Sequence, residues 1–152
     1  MSKAEIELTA YCGLYCGDCI RYRSRAIDLA EGLADELQKI KFDHYSQIKK
    51  DSVKEFEHYK EFREVLDAIA RLECDVPCRA GGDGCLEPCE IKKCVRMKNF
   101  QGCWECNEFE TCKKLDFLKP IHGETPRGNL RKIKEHGLQN WGKYKGKCYP
   151  WL

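Results

Sequence analysis

Apolar residues recur at steps of three and four through a stretch, residues 20–73, that holds no cysteine. Ile27, Ala30, Ala34, Leu37 and Ile40 fall on one face of a helix, and Phe56, Tyr59, Phe62, Leu66, Ile69 and Leu72 on one face of a second. Ser52 followed by Glu55 reads as a capping box opening the second helix. The two helices, joined near residues 43–51, predict a helical hairpin. Gly32 is a mild flaw in the first helix. Both apolar faces read as core rather than as a membrane or partner surface. Residues 90–98 and 107–118 predict two further short helices. Thr125 before Pro126 reads as an N-cap with proline at the first helical position, and the helix through Leu130 and Ile133 should stop at Gly137. Strand-like alternation is missing, and residues 5–10 are the one short candidate. The expected fold is mainly α with irregular Cys-rich, metal-stabilised loops: a helical hairpin, a Cys-rich segment and a closing C-terminal helix, with little or no β. We read residues 1–152 as one domain, with the hairpin over 20–73, a Cys-rich metal-binding segment over 74–112 and a basic helical tail over 113–152.

Composition shifts the weight from core to crosslink. Twelve of the 152 residues are cysteine, while Leu, Ile, Val and Phe together number only 32. Such a chain is near the floor for folding by apolar burial alone, so metal or disulfide should supply part of the fold energy. The opening MSKAEIELTAYC shows no apolar leader or cleavage pattern, which predicts a cytoplasmic protein with reduced thiols. No apolar run approaches the roughly 18 residues of a membrane span. The cysteines therefore read first as metal ligands, with disulfides as the weaker alternative. Cys12, Cys16 and Cys19 form a C-x3-C-x2-C element in which Gly13 and Gly17 permit tight turns. Cys74, Cys78, Cys85, Cys89, Cys94, Cys103, Cys106 and Cys112 form the dense group, and Cys148 stands alone. Cys103 and Cys106 have the two-residue spacing that brings both thiolates to one ion. Cys85, Cys89 and Cys94 would come partly from the first turn of a helix, whose N-terminus favours thiolate. Twelve sulfurs divide into three sets of four, for instance Cys12, Cys16, Cys19 with Cys148; Cys74, Cys78, Cys85 and Cys89; and Cys94, Cys103, Cys106 and Cys112.

A family pattern accompanies these spacings. It runs through Tyr11-Cys12-Gly13-Leu14-Tyr15-Cys16-Gly17-Asp18-Cys19, Cys78-Arg79-Ala80-Gly81-Gly82 and Cys89-Glu90-Ile91-Lys92-Lys93-Cys94. It continues with Gly102-Cys103-Trp104-Glu105-Cys106, then Glu108 to Leu115, and closes on Asn129-Leu130-Arg131-Lys132-Ile133, Gly137-Leu138 and Trp141. The chain resembles the Cys-rich family of bacteria and archaea catalogued as domain of unknown function 3795. The resemblance implies metal-binding cysteines and carries no activity with it. Cys74 and Cys148 match the family pattern least.

Zinc and iron–sulfur both accept shells made only of cysteine. We expect zinc as a mainly structural metal, in a protein with an interaction or adaptor role and no favoured catalytic residue. The alternative is an iron–sulfur redox protein or enzyme with a [4Fe–4S] cluster on Cys12, Cys16 and Cys19. That spacing is shared with radical enzymes that use S-adenosylmethionine, but the chain is short for their barrel and lacks its strands. Cys103 and Cys106 as a redox dithiol lack the thioredoxin-like context. His44 and His58 read as solvated, His136 is at no ligand spacing, and His122 is a minor candidate to replace one cysteine. Residues 113–152 carry a net +7 and residues 1–112 a net −5. With Tyr144, Tyr149 and Trp151 interleaved, the basic tail is a candidate nucleic-acid surface, the least favoured of the three readings. A protein partner is the other open possibility.

Overall fold

A computed structural model describes residues 1–82, 84 and 88–152 of the chain. The described residues are mainly helical, with no β-strand and two isolated bridges, Thr9 with Tyr15 and Tyr22 with Cys74. The α-helices among them are α1 (Lys3–Glu7), α2 (Arg25–Lys39), α3 (Phe42–Lys49), α4 (Tyr59–Ala70), α5 (Glu90–Met97), α6 (Lys119–His122) and α7 (Thr125–His136). Short 3-10 turns join many of them. None of these helices is long and apolar enough to cross a membrane. The chain divides into two compact units, Arg23–Glu73 and Met1–Tyr22 with Cys74–Leu152.

In the unit Arg23–Glu73, α2 buries Ile27, Ala30 and Ala34, and α4 buries Leu66. Alanine at the contact lets the two backbones approach, and Arg63 uses that closeness. Its Nη1 donates to the Ala34 carbonyl at 2.6 Å while its Nε donates to Asp67 at 3.0 Å. Residues 43–51, expected as a linker, instead contribute to α3. The reason is aromatic packing: Phe42 meets Phe56 edge-on at 5.5 Å and Tyr59 at 5.3 Å. The same packing displaces the second helix. It starts at Tyr59, after a 3-10 turn at Lys54–His58, and the capping box expected at Ser52 and Glu55 does not form. Part of the expected core face is also open, since Ile40, Phe62, Ile69 and Leu72 are exposed.

In the unit of Met1–Tyr22 and Cys74–Leu152, Trp141, Leu115, Leu130 and Ile133 form the centre, flanked by Ile91 and Val95 of α5. Helix α7 keeps its proline in the first turn and ends where Gly137 turns to φ +76°, although Glu124 rather than Thr125 is its N-cap. Two expectations change. Residues 5–10 do not form a strand, because Ser2 and Glu5 close a capping box that winds α1. Residues 107–118 do not form one helix but two 3-10 turns, Phe109–Thr111 and Lys113–Leu118, with Cys112 extended between them. Arg127 explains the break, since it takes the Glu110 and Cys112 carbonyls that a continuous helix would use.

Gly32 has nothing within 4 Å of where a Cβ would stand, and α2 runs through it unbroken. Gly32→Ala should therefore stabilise the protein by about 0.5–1 kcal/mol, read as a higher denaturant midpoint.

Candidate metal centre

The first cysteine loop is seated on α7 by close approach. Gly13 lies at φ +86°, and a Cβ there would come within 2.9 Å of the Pro126 carbonyl and 3.0 Å of Leu130. Only glycine meets both demands. Asn129, 2% exposed, donates Nδ2 to the Gly13 carbonyl at 2.9 Å and accepts the Gly146 N–H on Oδ1 at 2.8 Å. One buried amide thus holds both the loop after Cys12 and the segment before Cys148. Trp141 adds a second tie, donating Nε1 to Thr9 Oγ1 at 3.2 Å.

Arg79 places the neighbourhood of Cys78. Its Nε donates to the Thr9 carbonyl at 2.7 Å and its Nη2 to the Gln101 carbonyl at 2.8 Å. Its guanidinium lies 4.8 Å from the Tyr11 ring centroid and 5.2 Å from that of Trp104. The Cys103 N–H closes the same corner, donating to the Tyr11 carbonyl at 2.9 Å.

These ties leave a cavity of about 70 Å³ whose lining includes Cys12, Cys16, Cys19, Cys74, Cys78, Cys89, Cys148 and His122. Leu14, Ile91 and Phe117 supply apolar wall. Cys12 and Cys148 are buried and the other five half-buried. Cys89 also caps α5, its sulfur accepting the Lys92 N–H at 3.5 Å. Cys94, Cys103, Cys106 and Cys112 make a second group near α5. Cys103 and Cys106 bracket one 3-10 turn, and Lys98 Nζ stands 3.9 Å from Cys106 Sγ. Cys85 lies outside the described residues.

Burial raises four of the thiols. It pushes Cys103 from the usual 9.0 up to about 12, helped by the negative charge of Cys112, Cys94 and Cys106. It also pushes Cys148 up to about 12, helped by Cys19. Cys74 and Cys78 are raised too, again first by burial. Burial and the contact with Cys19 likewise push the Tyr149 hydroxyl up, so it keeps its proton.

Among the described residues, no three His, Cys, Asp or Glu side chains are placed to hold a metal ion. The chemistry of the donors nevertheless fits a thiophilic cation. Sulfur and one imidazole line the cavity, and Cys19, Cys74, Cys78, Cys89, Cys94, Cys103, Cys106, Cys112 and Cys148 carry free thiols.

A family model described as Protein of unknown function (DUF3795) matches residues 8–117. The chain belongs to the DUF3795 family. No curated protein matches the chain, and no solved structure does. In this DUF3795 member, Cys148, His122 and Tyr149 lie beyond the matched residues, yet fold onto the cavity of the matched cysteines or against its rim. The cysteine arithmetic already sets Cys148 with Cys12, Cys16 and Cys19, and His122 is a minor candidate ligand by sequence. Tyr149 reads there only as an aromatic of the basic tail, and its place directly after Cys148 is the available signal.

Four of the ten Lys and Arg residues in the basic tail of this DUF3795 chain meet carboxylates among the described residues. Arg131 grips both carboxylate oxygens of Glu110 at 2.6 and 2.8 Å and holds that carboxyl below its usual range. Arg127 pairs with Asp116 at 2.8 Å, Lys119 with Glu124 at 2.8 Å, and Lys145 with Asp18.

Two outcomes follow from these contacts. Arg127→Ala strips donors from two carbonyls and a carboxylate, and should cost about 2–3 kcal/mol in chemical denaturation. The raised Cys103 and Cys148 give metal-free protein a definite pH response. Their stabilising effect is fully present below about pH 9 and is lost as pH rises toward 12, because the unfolded thiols ionise first. The denaturation midpoint of the reduced, metal-stripped protein should fall across that window and stay level just below it.

Proposed function

We propose that this DUF3795 protein is a metal-binding protein in which zinc stabilises the Cys-rich unit, and that it serves as an interaction module rather than an enzyme. The observation that carries the reading is the cavity. Seven cysteines and His122, drawn from segments spread over residues 12–148, line one small space. Reduced thiols raised by burial are costly to ionise without a cation, and a bound cation offsets that cost. Zinc is preferred because closed thiolate sites support small domains that lack a large core.

A second feature supports the interaction role. In the unit Arg23–Glu73, Leu29 is 61% exposed, Ile48 78% and Val65 59%. These exposed apolar side chains, one each on α2, α3 and α4, are the feature that supports an interaction role.

Protein purified anaerobically should contain zinc at near-integer stoichiometry, and a strong chelator should abolish its cooperative unfolding transition. Iron with acid-labile sulfide and absorbance near ~400 nm would replace zinc by a cluster on Cys12, Cys16 and Cys19. Protein that takes up neither metal would refute the metal reading altogether.

A further inference from the structure

A hydrogen bond at one end of the cavity assigns a proton. A backbone carbonyl only accepts, so the 2.6 Å contact between His122 Nδ1 and the Cys148 carbonyl puts the proton on Nδ1. A neutral His122 then has its lone pair on Nε2, on a ring that lines the cavity. The Tyr149 hydroxyl accepts the Ile20 N–H at 3.1 Å and lies 3.3 Å from Cys19 Sγ, within reach to donate its proton to a Cys19 thiolate. A Cys19 thiolate, having no proton to give, would accept that bond.

The four side chains share one corner. Cys148 Sγ lies 3.8 Å from His122 Nδ1, and the His122 and Tyr149 rings stand 5.1 Å apart. His122 is 7% exposed and Tyr149 3%. A histidine pinned through Nδ1–H by a backbone carbonyl has the orientation and tautomer that metal-ligating imidazoles use, and donors to a ligand thiolate tune it in the same way.

We propose that Cys19, Cys148 and His122, the last through Nε2, form a mixed sulfur–nitrogen site for zinc or a similar divalent cation, with Tyr149 as positioning residue for Cys19. The proposal rests on the metal-binding reading and adds a nitrogen ligand to it. Because no three donors converge among the described residues, the side chains must close on the ion, which couples affinity to the order of this corner. The group of Cys94, Cys103, Cys106 and Cys112 offers sulfur alone, so the two sites should differ spectroscopically.

Anaerobic Co2+ titration of the full, metal-stripped chain separates these ideas, with ions bound and visible bands as readouts. His122→Asn should lose one ion, or bind it roughly 100-fold more weakly. Tyr149→Phe should weaken the same ion about ten-fold and shift its sulfur-to-cobalt charge-transfer band. Cys103→Ser should leave the bands of that ion intact. Histidine 15N spectra of the unmutated protein with Cd2+ give a readout independent of any variant's folding: the His122 Nε2 resonance should move and Nδ1 should not. Unchanged stoichiometry and bands in His122→Asn, a static Nε2 resonance, or movement of Nδ1 instead would each overturn the proposal while leaving the metal reading in place. Failure of the unmutated protein to take up Co2+ or Zn2+ would overturn both.

Discussion

Asn129 bonds the Gly13 carbonyl on one side and the Gly146 amide on the other, and the cysteine-bearing unit is arranged around that contact. A chain built from short helices and 3-10 turns has many peptide groups with no ladder to satisfy them. Leaving them buried and unpaired would cost about 1–3 kcal/mol each. Here the partners are side chains reaching far along the sequence. Asn129, Arg79, Arg127 and Trp141 each bind a group more than ten residues away. Among the described residues no buried side-chain nitrogen or oxygen lacks a partner.

This arrangement also accounts for the sulfur-rich cavity. Once polar side chains have fixed the loops, the cysteines are left facing a small space with little polar competition. Desolvation then keeps Cys148 protonated in the absence of a cation, as it does Cys103 in the second group. The same burial that opposes thiolate formation would strengthen the attraction of a thiolate to a bound ion, since both follow from low local dielectric. The cationic tail is drawn into the same economy of charge: Arg127, Arg131, Lys119 and Lys145 meet carboxylates within the chain. That leaves less of the tail to contact an outside polyanion.

The unit Arg23–Glu73 follows different rules. Its α2–α4 contact rests on alanines and one leucine, with Arg63 clasping the Ala34 carbonyl. Phe42 and Tyr45, packed on Phe56 and Tyr59, supply the aromatic contacts that turn a predicted linker into α3. So narrow a seam leaves leucine, isoleucine and valine side chains outside, which is why the periodicity overstated the core there.

The amino-acid sequence alone determined the helical class, the bounds of α5 and the end of α7, because periodicity, proline and a C-terminal glycine act locally. It also determined family membership and the crowding of cysteines, since motif order is a property of the chain. Tertiary structure decided what local signals cannot reach. Ser52 and Glu55 satisfy a capping pattern but yield to aromatic packing, and residues 107–118 yield to Arg127. The juxtaposition of Cys19 with Tyr149, and of Cys148 with His122, spans 130 and 26 residues of chain. Such contacts depend on where α7 and Asn129 bring the two ends of the unit together, a constraint that no spacing rule encodes.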